Sequence, residues 1–76
     1  MKEILESIIL NIVDDKSAVT ITEKVNGEDV RYDVKVANND MGRVIGKQGR
    51  VAKAIRTLMK SLGAKEKKRI TIEFID

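Results

Sequence analysis

The chain contains no cysteine and no histidine among its 76 residues. Without cysteine it has no disulfide and no thiol nucleophile, and without histidine it lacks the usual catalytic imidazole and a common zinc ligand. No carboxylate pair is anchored beside a cleft motif to supply acid–base chemistry instead. These absences argue against an enzyme, and they predict no metal, no other cofactor and no small-molecule substrate.

Long apolar runs are also absent, because no unbroken run exceeds four residues. A membrane-spanning helix needs about 20 such residues. The N-terminal segment includes Lys2, Glu3 and Glu6 and has no small-residue cleavage site, so it does not resemble a secretion signal. The sequence therefore predicts a cytoplasmic protein with no membrane partner. Its length predicts a single domain over residues 1–76, and its composition, 42% hydrophobic and 36% charged, predicts that this domain folds.

Acidic side chains are missing from one part of the chain. Residues 1–40 contain nine Asp and Glu against five Lys and Arg, whereas residues 41–69 contain ten Lys and Arg and the single acid Glu66. No acid occurs anywhere in residues 41–65. The modest net charge of +3 thus hides a strongly basic middle. Such an asymmetry indicates a polyanionic partner, more often nucleic acid than an anionic membrane surface.

Aromatic side chains are scarce, since Tyr32 and Phe74 are the only two. Both fall on the apparent inward faces of predicted strands. Nucleic-acid modules of the RRM and OB classes stack bases on exposed aromatic side chains. The shortage of aromatics therefore argues against those two classes of module.

The hydrophobic pattern predicts an α+β fold with the element order α-β-β-α-α-β. Apolar residues at helical spacing predict a first helix over residues 1–14. Alternating patterns predict strands over residues 17–25, 30–37 and 69–75. Asn26-Gly27 between the first two strands predicts a hairpin, because both residues tolerate positive φ.

Two helices are predicted between the second and third strands. Asp40 is placed to cap a short helix over residues 41–45, which Gly46 ends in a left-handed conformation. A longer helix follows over residues 49–62 and is ended by Gly63. A helical crossover of this length favours a third strand parallel to the second. The predicted fold is a three-stranded mixed sheet covered on one face by three helices.

The segment Val44-Ile45-Gly46-Lys47-Gln48-Gly49-Arg50 is the most informative part of the chain. It is not a P-loop, because only three residues separate Gly42 from Gly46, and Gln48 stands where a magnesium-binding hydroxyl belongs. It is not a dinucleotide fingerprint either, since it follows a predicted helix rather than a strand.

A Gly-x-x-Gly turn between two helices suits a sugar-phosphate backbone. Gly49 has no side chain, so a backbone can approach the turn closely. The helix that begins there directs its N-terminal N–H groups at the turn. Lys47 and Arg50 add cations within reach of a phosphate.

The helix predicted after this turn has a wholly basic flank. Its apolar residues fall on one arc, while Lys53, Arg56 and Lys60 fall together on another. An ordinary solvated face is the alternative explanation, but such a face usually mixes charges of both signs. The absence of acids from residues 41–65 therefore favours a surface for a polyanion.

These residues resemble the K-homology (KH) signature, an Ile-Gly-x-x-Gly-x-x-Ile pattern between two helices. Ile45-Gly46-Lys47-Gln48-Gly49 matches the start of the pattern, whereas Ala52 stands where the pattern often has isoleucine. The predicted element order is similar to the bacterial, type II arrangement of the domain. Over residues 1–76 the sequence resembles the KhpA family of small single-domain KH proteins.

The resemblance implies a protein that binds single-stranded RNA. In KH domains the Gly-x-x-Gly loop clamps the backbone of about four nucleotides. The resemblance also implies that bases lie in a groove between the two helices and the edge of the last strand. It further implies an RNA chaperone that pairs with a second KH protein of the KhpB type, or with itself, and is linked to cell shape and peptidoglycan homeostasis.

The residues predicted to bind RNA differ in their roles. Gly46 and Gly49 shape the clamp, their neighbours contact phosphates or base edges, and the basic loop over residues 64–68 flanks the groove. Core packing is the alternative role for Val44 and Ile45, and solvation is the alternative for the outlying cations. The full predicted set is Gly46, Lys47, Gln48, Gly49, Arg50, Arg43, Val44, Ile45, Lys53, Arg56, Lys67, Lys68 and Arg69.

Two other classes stay open on sequence grounds. A protein-interaction adaptor would use the same basic flank to bind an acidic partner. A binder of double-stranded DNA is less favoured, because the predicted order offers no free recognition helix for the major groove.

Overall fold

The computed structural model describes residues 1–75, and within them every side chain except that of Lys47. The elements in chain order are α1 (Lys2–Ile12), a 3₁₀ turn (Lys16–Ala18), β1 (Thr20–Asn26), β2 (Asp29–Lys35), α2 (Asn38–Lys65) and β3 (Arg69–Ile75). The predicted α+β class is confirmed, and so is the sequence of helices and strands in outline. Neither described α-helix is both long enough and apolar enough to cross a bilayer.

β2 lies at the centre of a three-stranded sheet, between β1 and β3. It pairs antiparallel with β1, in a register that joins Asn26 to Asp29. It pairs parallel with β3, in a register that joins Asp29 to Arg69 and Lys35 to Ile75. The predicted parallel pairing is confirmed, because the long helical connection returns the chain to the same end of the sheet.

The turn between β1 and β2 contains Gly27 and Glu28. Gly27 has a φ of 63°, a left-handed conformation that glycine adopts without the clash of a Cβ. Glycine at the first central position is typical of tight two-residue hairpins. The predicted hairpin is confirmed, although Asn26 ends β1 rather than occupying the turn.

Alternation along the strands separates a buried sheet face from an open one. In β2, Val30, Tyr32 and Val34 are buried, whereas Arg31 between them is exposed. Burying one large apolar side chain stabilises the fold by roughly 1.5–3 kcal/mol. The buried apolar residues form one cluster shared by the helices and the sheet, namely Leu5, Ile9, Val13, Ile21, Val30, Tyr32, Val34, Val36, Met41, Val44, Ile55, Met59, Ile70 and Ile72.

The opposite face of the sheet is termed the outer sheet face, and most of its cations are paired. Asp33 accepts from Nε of Arg31 at 2.8 Å and lies 3.4 Å from Nζ of Lys24. The hydrogen bond from Arg31, with a smaller contribution from Lys24, holds the pKa of Asp33 below its ordinary value. Asp29 accepts two hydrogen bonds from Arg69, at 2.6 and 3.2 Å. Lys24, Arg31 and Arg69 are therefore neutralised by carboxylates of this face, whereas the exposed Lys35 enters no ion pair within the described residues.

α2 spans the turn that the sequence predicts between two helices. Inside it, Gln48 and Gly49 have φ values of 63° and 72°, so the right-handed helical conformation is broken at these two residues. α2 therefore has a first arm over residues 38–47 and a second arm over residues 50–65. The prediction that Gly46 ends the first helix in a left-handed conformation is wrong, because the break comes two residues later.

Gly63 lies inside the second arm, so the prediction that it ends the helix is wrong. A Cβ built on it would overlap Cγ1 of Ile70 and would lie 3.1 Å from the carbonyl oxygen of Lys68. The missing side chain thus lets α2 pack directly against β3. The helix ends at Lys65 instead, and the N–H groups of Glu66 and Lys68 donate to the carbonyl oxygen of Gly63 at 2.9 and 2.8 Å.

Asp40 is buried and does not cap α2 as predicted, since the helix begins after Ala37 with no side-chain cap. Its carboxylate instead accepts hydrogen bonds from the backbone N–H groups of Asp14 and Asp15, at 2.9 and 3.0 Å. These bonds hold the pKa of Asp40 below its ordinary value, and the charge of Arg43 contributes less. The buried carboxylate ties the segment after α1 to the first arm of α2.

Candidate nucleic-acid interface

The turn inside α2 holds a strained residue. Gln48, at φ 63°, places a Cβ in the left-handed region, which costs a residue other than glycine roughly 1–2 kcal/mol. Gly49, at φ 72°, occupies the same region without that penalty. Strained residues of this kind cluster at binding and catalytic sites. The backbone of the turn therefore marks it as a candidate site independently of its charge.

Gly42 and Gly46, one helical turn apart in the first arm, lie beside open space. Neither has a positive φ, and a Cβ built on either would meet no heavy atom within 4 Å. Glycine inside a helix destabilises it by roughly 0.5–1 kcal/mol relative to alanine. Nothing in the described part of the fold requires glycine at these positions. A bare surface next to the turn instead suits the close approach of a ligand. The side chain of Lys47, predicted to contact phosphate, lies outside the described residues.

The structure separates Val44 from Ile45. Val44 is fully buried in the core, where it supports the first arm from inside. Ile45 is 46% exposed although it is large and apolar, and it is one residue from Gly46. Of the two residues predicted either to line a groove or to pack the core, Val44 packs the core and Ile45 is at the surface.

The basic flank predicted for the second arm runs beside β3. Lys53, Arg56, Lys60 and Ala64 recur every three or four residues, which puts them on one side of the helix. These four residues are termed the edge stripe. Lys53 and Lys60 are exposed, and Arg56 is half-buried. No ion pair within the described residues involves the edge stripe.

Arg56 joins the edge stripe to the free edge of β3. Its Nε donates to the carbonyl oxygen of Ile72 at 3.1 Å, and its guanidinium carbon lies 5.5 Å from the centre of the Phe74 ring. The N–H of Arg69 donates toward β2, to the carbonyl oxygen of Glu28 at 2.8 Å. Successive residues of a strand direct their backbone groups to alternate sides, so those of Ile72 face away from β2. Arg56 meets them there and packs on the ring by a cation–π contact.

A groove of about 380 Å³ lies at the far end of the edge stripe from the turn. It is termed the distal groove, and its lining residues are Lys60, Ala64, Lys68, Arg69, Ile70 and Thr71. The lining combines three cations with an apolar floor and contains no carboxylate. The edge stripe connects the distal groove to the turn along one side of the second arm.

The loop before β3 is held by its own backbone. Lys67 has a φ of 58°, and its N–H donates to the carbonyl oxygen of Ala64 at 3.1 Å. The N–H of Lys68 is bound to the carbonyl oxygen of Gly63 at 2.8 Å. These bonds satisfy the last carbonyl groups of α2 and fix where the loop leaves the helix. Lys68 therefore stands at the distal groove, whereas Lys67 does not line it.

The remaining predicted cations fall into two groups. Nη2 of Arg43 lies 2.8 Å from Oδ2 of Asp14, and its Nε lies 4.0 Å from Oδ1 of Asp40. The charge of Arg43 is therefore balanced within the fold. Arg69 is balanced in the same way by Asp29. Arg50, directly after the turn, is exposed and enters no ion pair within the described residues.

Three features of this surface are absent from the predicted set of site residues. Lys60 continues the edge stripe, Thr71 lines the distal groove, and the carbonyl oxygen of Ile72 anchors Arg56. The spacing of the predicted basic flank already groups Lys60 with Lys53 and Arg56, although the predicted set of site residues does not include it. No local pattern identifies the other two, because they come from a strand far along the chain. Among the described residues, no group of three or more acidic side chains is arranged to hold a metal ion.

Comparison with known proteins gives a consistent result. The family model described as KhpA/KhpB, KH domain, matches residues 2–74 of the chain. The chain is 47% identical to the RNA-binding protein KhpA of Clostridium acetobutylicum over 75 residues, which are 99% of this chain and 100% of that protein. It is 46% identical to the RNA-binding protein KhpA of Listeria monocytogenes over 76 residues, the full length of both.

A more distant relative is matched over a similar length. The RNA-binding protein KhpA of Chlamydia pneumoniae is 41% identical over 76 residues, which are 100% of this chain and 97% of that protein. No solved structure gives a significant match to the chain.

Proposed function

The chain belongs to the KhpA/KhpB family of KH domains, and from that membership we propose that it binds single-stranded RNA. The observation that carries the proposal is the turn at Gln48 and Gly49, which is strained, preceded by the bare Gly46 and followed by a wholly basic helix flank. Relatives that match over the full length are named RNA-binding proteins.

The proposed mechanism assigns a separate task to each part of the surface. The turn approaches the backbone of about four nucleotides, as KH loops do, with Lys47 and Arg50 near the phosphates. Exposed Ile45 offers an apolar surface to a base. Lys53 and Arg56 attract the backbone along the edge of β3, and the contact between Arg56 and Ile72 keeps that arginine in position.

Wider roles follow from the same family membership. We propose that the protein acts in the cytoplasm as an RNA chaperone, together with a KhpB-like KH protein or as a homodimer, in regulation linked to cell shape and peptidoglycan homeostasis. The support for a KH partner is the single family model that covers KhpA and KhpB. Exposed apolar side chains of the two helices, Ile4 and Leu58, offer further surface for a protein contact.

The first test of RNA binding is a salt titration. A mixed-sequence single-stranded oligonucleotide is titrated with the wild type and with Lys47→Asp/Gln48→Asp, and circular dichroism confirms that the variant is folded. Three or four phosphate contacts predict a log–log salt slope near −2 to −3, from about −0.7 for each contact. We expect that slope for the wild type and a large loss of affinity for the variant. Equal RNA binding by both proteins would overturn the proposal that the turn is the RNA-binding site.

A second variant pair separates binding from folding. Gly46→Ala adds a methyl group to open space in a helix, so we expect it to leave stability unchanged or to raise it by about 0.5–1 kcal/mol while weakening RNA binding. Gly49→Ala places a Cβ at a positive φ and should lower stability as well. If Gly46→Ala binds RNA as tightly as the wild type does, the proposal that the RNA backbone approaches closely at Gly46 is wrong. If the wild type binds no RNA, the protein-interaction adaptor becomes the better explanation of the basic surface.

A further inference from the structure

We propose that the distal groove binds an additional nucleotide of the same RNA strand, beyond the four that the turn holds. This inference rests on the proposed function and extends it. It assigns a binding role to Lys60 and Thr71, and it predicts that the protein distinguishes short from longer single strands.

The chemistry of the groove fits a nucleotide. Ala64 and Ile70 supply an apolar floor for a base or ribose, and Lys60 and Lys68 supply cations for a phosphate. Thr71 adds a hydroxyl that both donates and accepts hydrogen bonds. The volume, about 380 Å³, falls within the range of roughly 300–1,000 Å³ that small-molecule sites occupy.

The groove is continuous with the surface proposed to hold the first nucleotides. Lys60 follows Arg56 by one helical turn on the same side of the second arm. From Gly49 to Lys60 the helix rises about 16 Å, at 1.5 Å for each residue. A strand that leaves the turn and follows the edge of β3 therefore reaches the distal groove without crossing another element.

Part of the groove is fixed in place before any ligand arrives. The backbone of Lys68 is hydrogen-bonded to Gly63, which fixes the loop against the helix end. Arg69 is held by two hydrogen bonds from its guanidinium to Asp29. Affinity is lowered when side chains must become ordered on binding, so a site whose groups are already in position loses less affinity in this way. Lys60 and Lys68 enter no ion pair within the described residues and keep their charge for a phosphate.

The second groove of the molecule serves as an internal comparison. It lies at the hairpin end of the outer sheet face and is lined by Lys24, Val25, Asn26, Asp29, Val30, Arg31 and Thr71. Its lining includes the carboxylate of Asp29, and both Lys24 and Arg31 are already paired with Asp33. A phosphate would have to displace those carboxylates. In the distal groove Arg69 is paired with Asp29, but Lys60 and Lys68 enter no ion pair within the described residues, so a continuing RNA strand should favour this groove.

The experiment tests whether removing positive charge from the distal groove weakens binding of a longer RNA more than binding of a shorter one. Fluorescence anisotropy measures binding of oligouridylates of about four and about eight nucleotides to the wild type and to Lys60→Gln/Lys68→Gln. We expect the double variant to bind the longer RNA about tenfold more weakly, with a salt slope smaller by about 1.4 for two lost phosphate contacts. Its affinity for the shorter RNA should stay within twofold of the wild type. Lys24→Gln/Lys35→Gln, which removes two exposed lysines from the outer sheet face, is the matched control and should change neither affinity beyond twofold.

The outcomes separate this inference from the proposed function. A double variant that weakens both lengths equally, or weakens neither, overturns the distal groove as a nucleotide site. A wild-type protein that binds neither RNA length would overturn the proposed function itself. The variant of the turn, Lys47→Asp/Gln48→Asp, would then bind RNA no differently from the wild type. Loss confined to the longer RNA supports the distal groove, provided that circular dichroism shows the double variant to be folded.

Discussion

The edge stripe and the outer sheet face both contain lysine and arginine, but within the described residues most cations of the outer sheet face are paired with carboxylates, whereas those of the edge stripe are not. On the outer sheet face, Lys24 and Arg31 share the carboxylate of Asp33. Along the edge stripe, Lys53 and Lys60 enter no ion pair within the described residues. A count of cations therefore does not locate a polyanion site. What matters is whether a carboxylate already neutralises each cation.

The two surfaces differ because a sheet and a helix bring different neighbours together. In the sheet, the register sets Asp29 of β2 beside Arg69 of β3, a residue 40 positions away. Cross-strand neighbours of opposite charge stabilise such a pair. On a helix, the neighbours of a side chain are residues three and four positions away. Because residues 41–65 contain no acid, the stripe finds no partner within its own helix.

The largest effect is expected from reversing the unpaired cations. Lys53→Glu/Lys60→Glu should weaken binding of mixed-sequence single-stranded RNA about a hundredfold, because like charges across an interface cost several kcal/mol. The matched change of two paired cations on the outer sheet face, Lys24→Glu/Arg31→Glu, should weaken it less than about threefold at 0.1 M salt, where charges beyond about 10 Å are screened. Fluorescence anisotropy measures both. Equal losses would mean that net charge, rather than pairing, governs binding.

A smaller effect on stability should distinguish two glycines of α2. Gly63→Ala forces a methyl group against Ile70, so we expect it to lower the free energy of unfolding by about 1–3 kcal/mol. Gly42→Ala meets open space and should raise that free energy by about 0.5–1 kcal/mol. Urea denaturation followed by circular dichroism measures both changes. A Gly63→Ala protein that is as stable as the wild type would disprove the close contact between α2 and β3 beside the distal groove.

The smallest effects are expected for two carboxylates whose pKa values are lowered by different partners. Backbone N–H groups lower the pKa of the buried Asp40, whereas the side chain of Arg31 lowers that of Asp33. Salt screens exposed ion pairs more than buried hydrogen bonds. In an NMR titration we therefore expect 1 M salt to raise the pKa of Asp33 toward its ordinary value and to leave that of Asp40 almost unchanged. Similar shifts for both groups would contradict the difference between the two environments.

Because the pKa of Asp40 is lowered in the folded protein, its contribution to stability depends on pH. A carboxyl whose pKa is lower in the folded state stabilises the fold fully above its unfolded pKa, and this stabilisation is lost as the pH falls through the folded value. Asp40→Asn should therefore lower the melting temperature at pH 6, and its curve should approach that of the wild type in acid. A constant difference between the two proteins down to pH 2 would show that Asp40 does not act through its charge.

Much of the fold can be predicted from local patterns. The hairpin, the strand β3 and its parallel pairing follow from alternation, from Gly27 and from the length of the crossover. The turn in α2 is predicted within two residues, although Gly46 is named as its left-handed residue in place of Gln48 and Gly49. Positive φ at a glutamine is missed because residue type alone assigns that conformation to glycine.

Local patterns are enough to predict the order of the elements, the all-basic helix flank and the glycines around the turn, because each depends on neighbours within a few positions. Three contacts become visible only in the folded chain: Gly63 packs against Ile70, Asp40 binds backbone groups 25 and 26 residues earlier, and Arg56 meets the free edge of β3. These contacts join residues that no local period relates. The same reason decides which cations are paired, since the sheet brings Asp29 to Arg69, whereas no carboxylate of residues 1–75 pairs with the edge stripe.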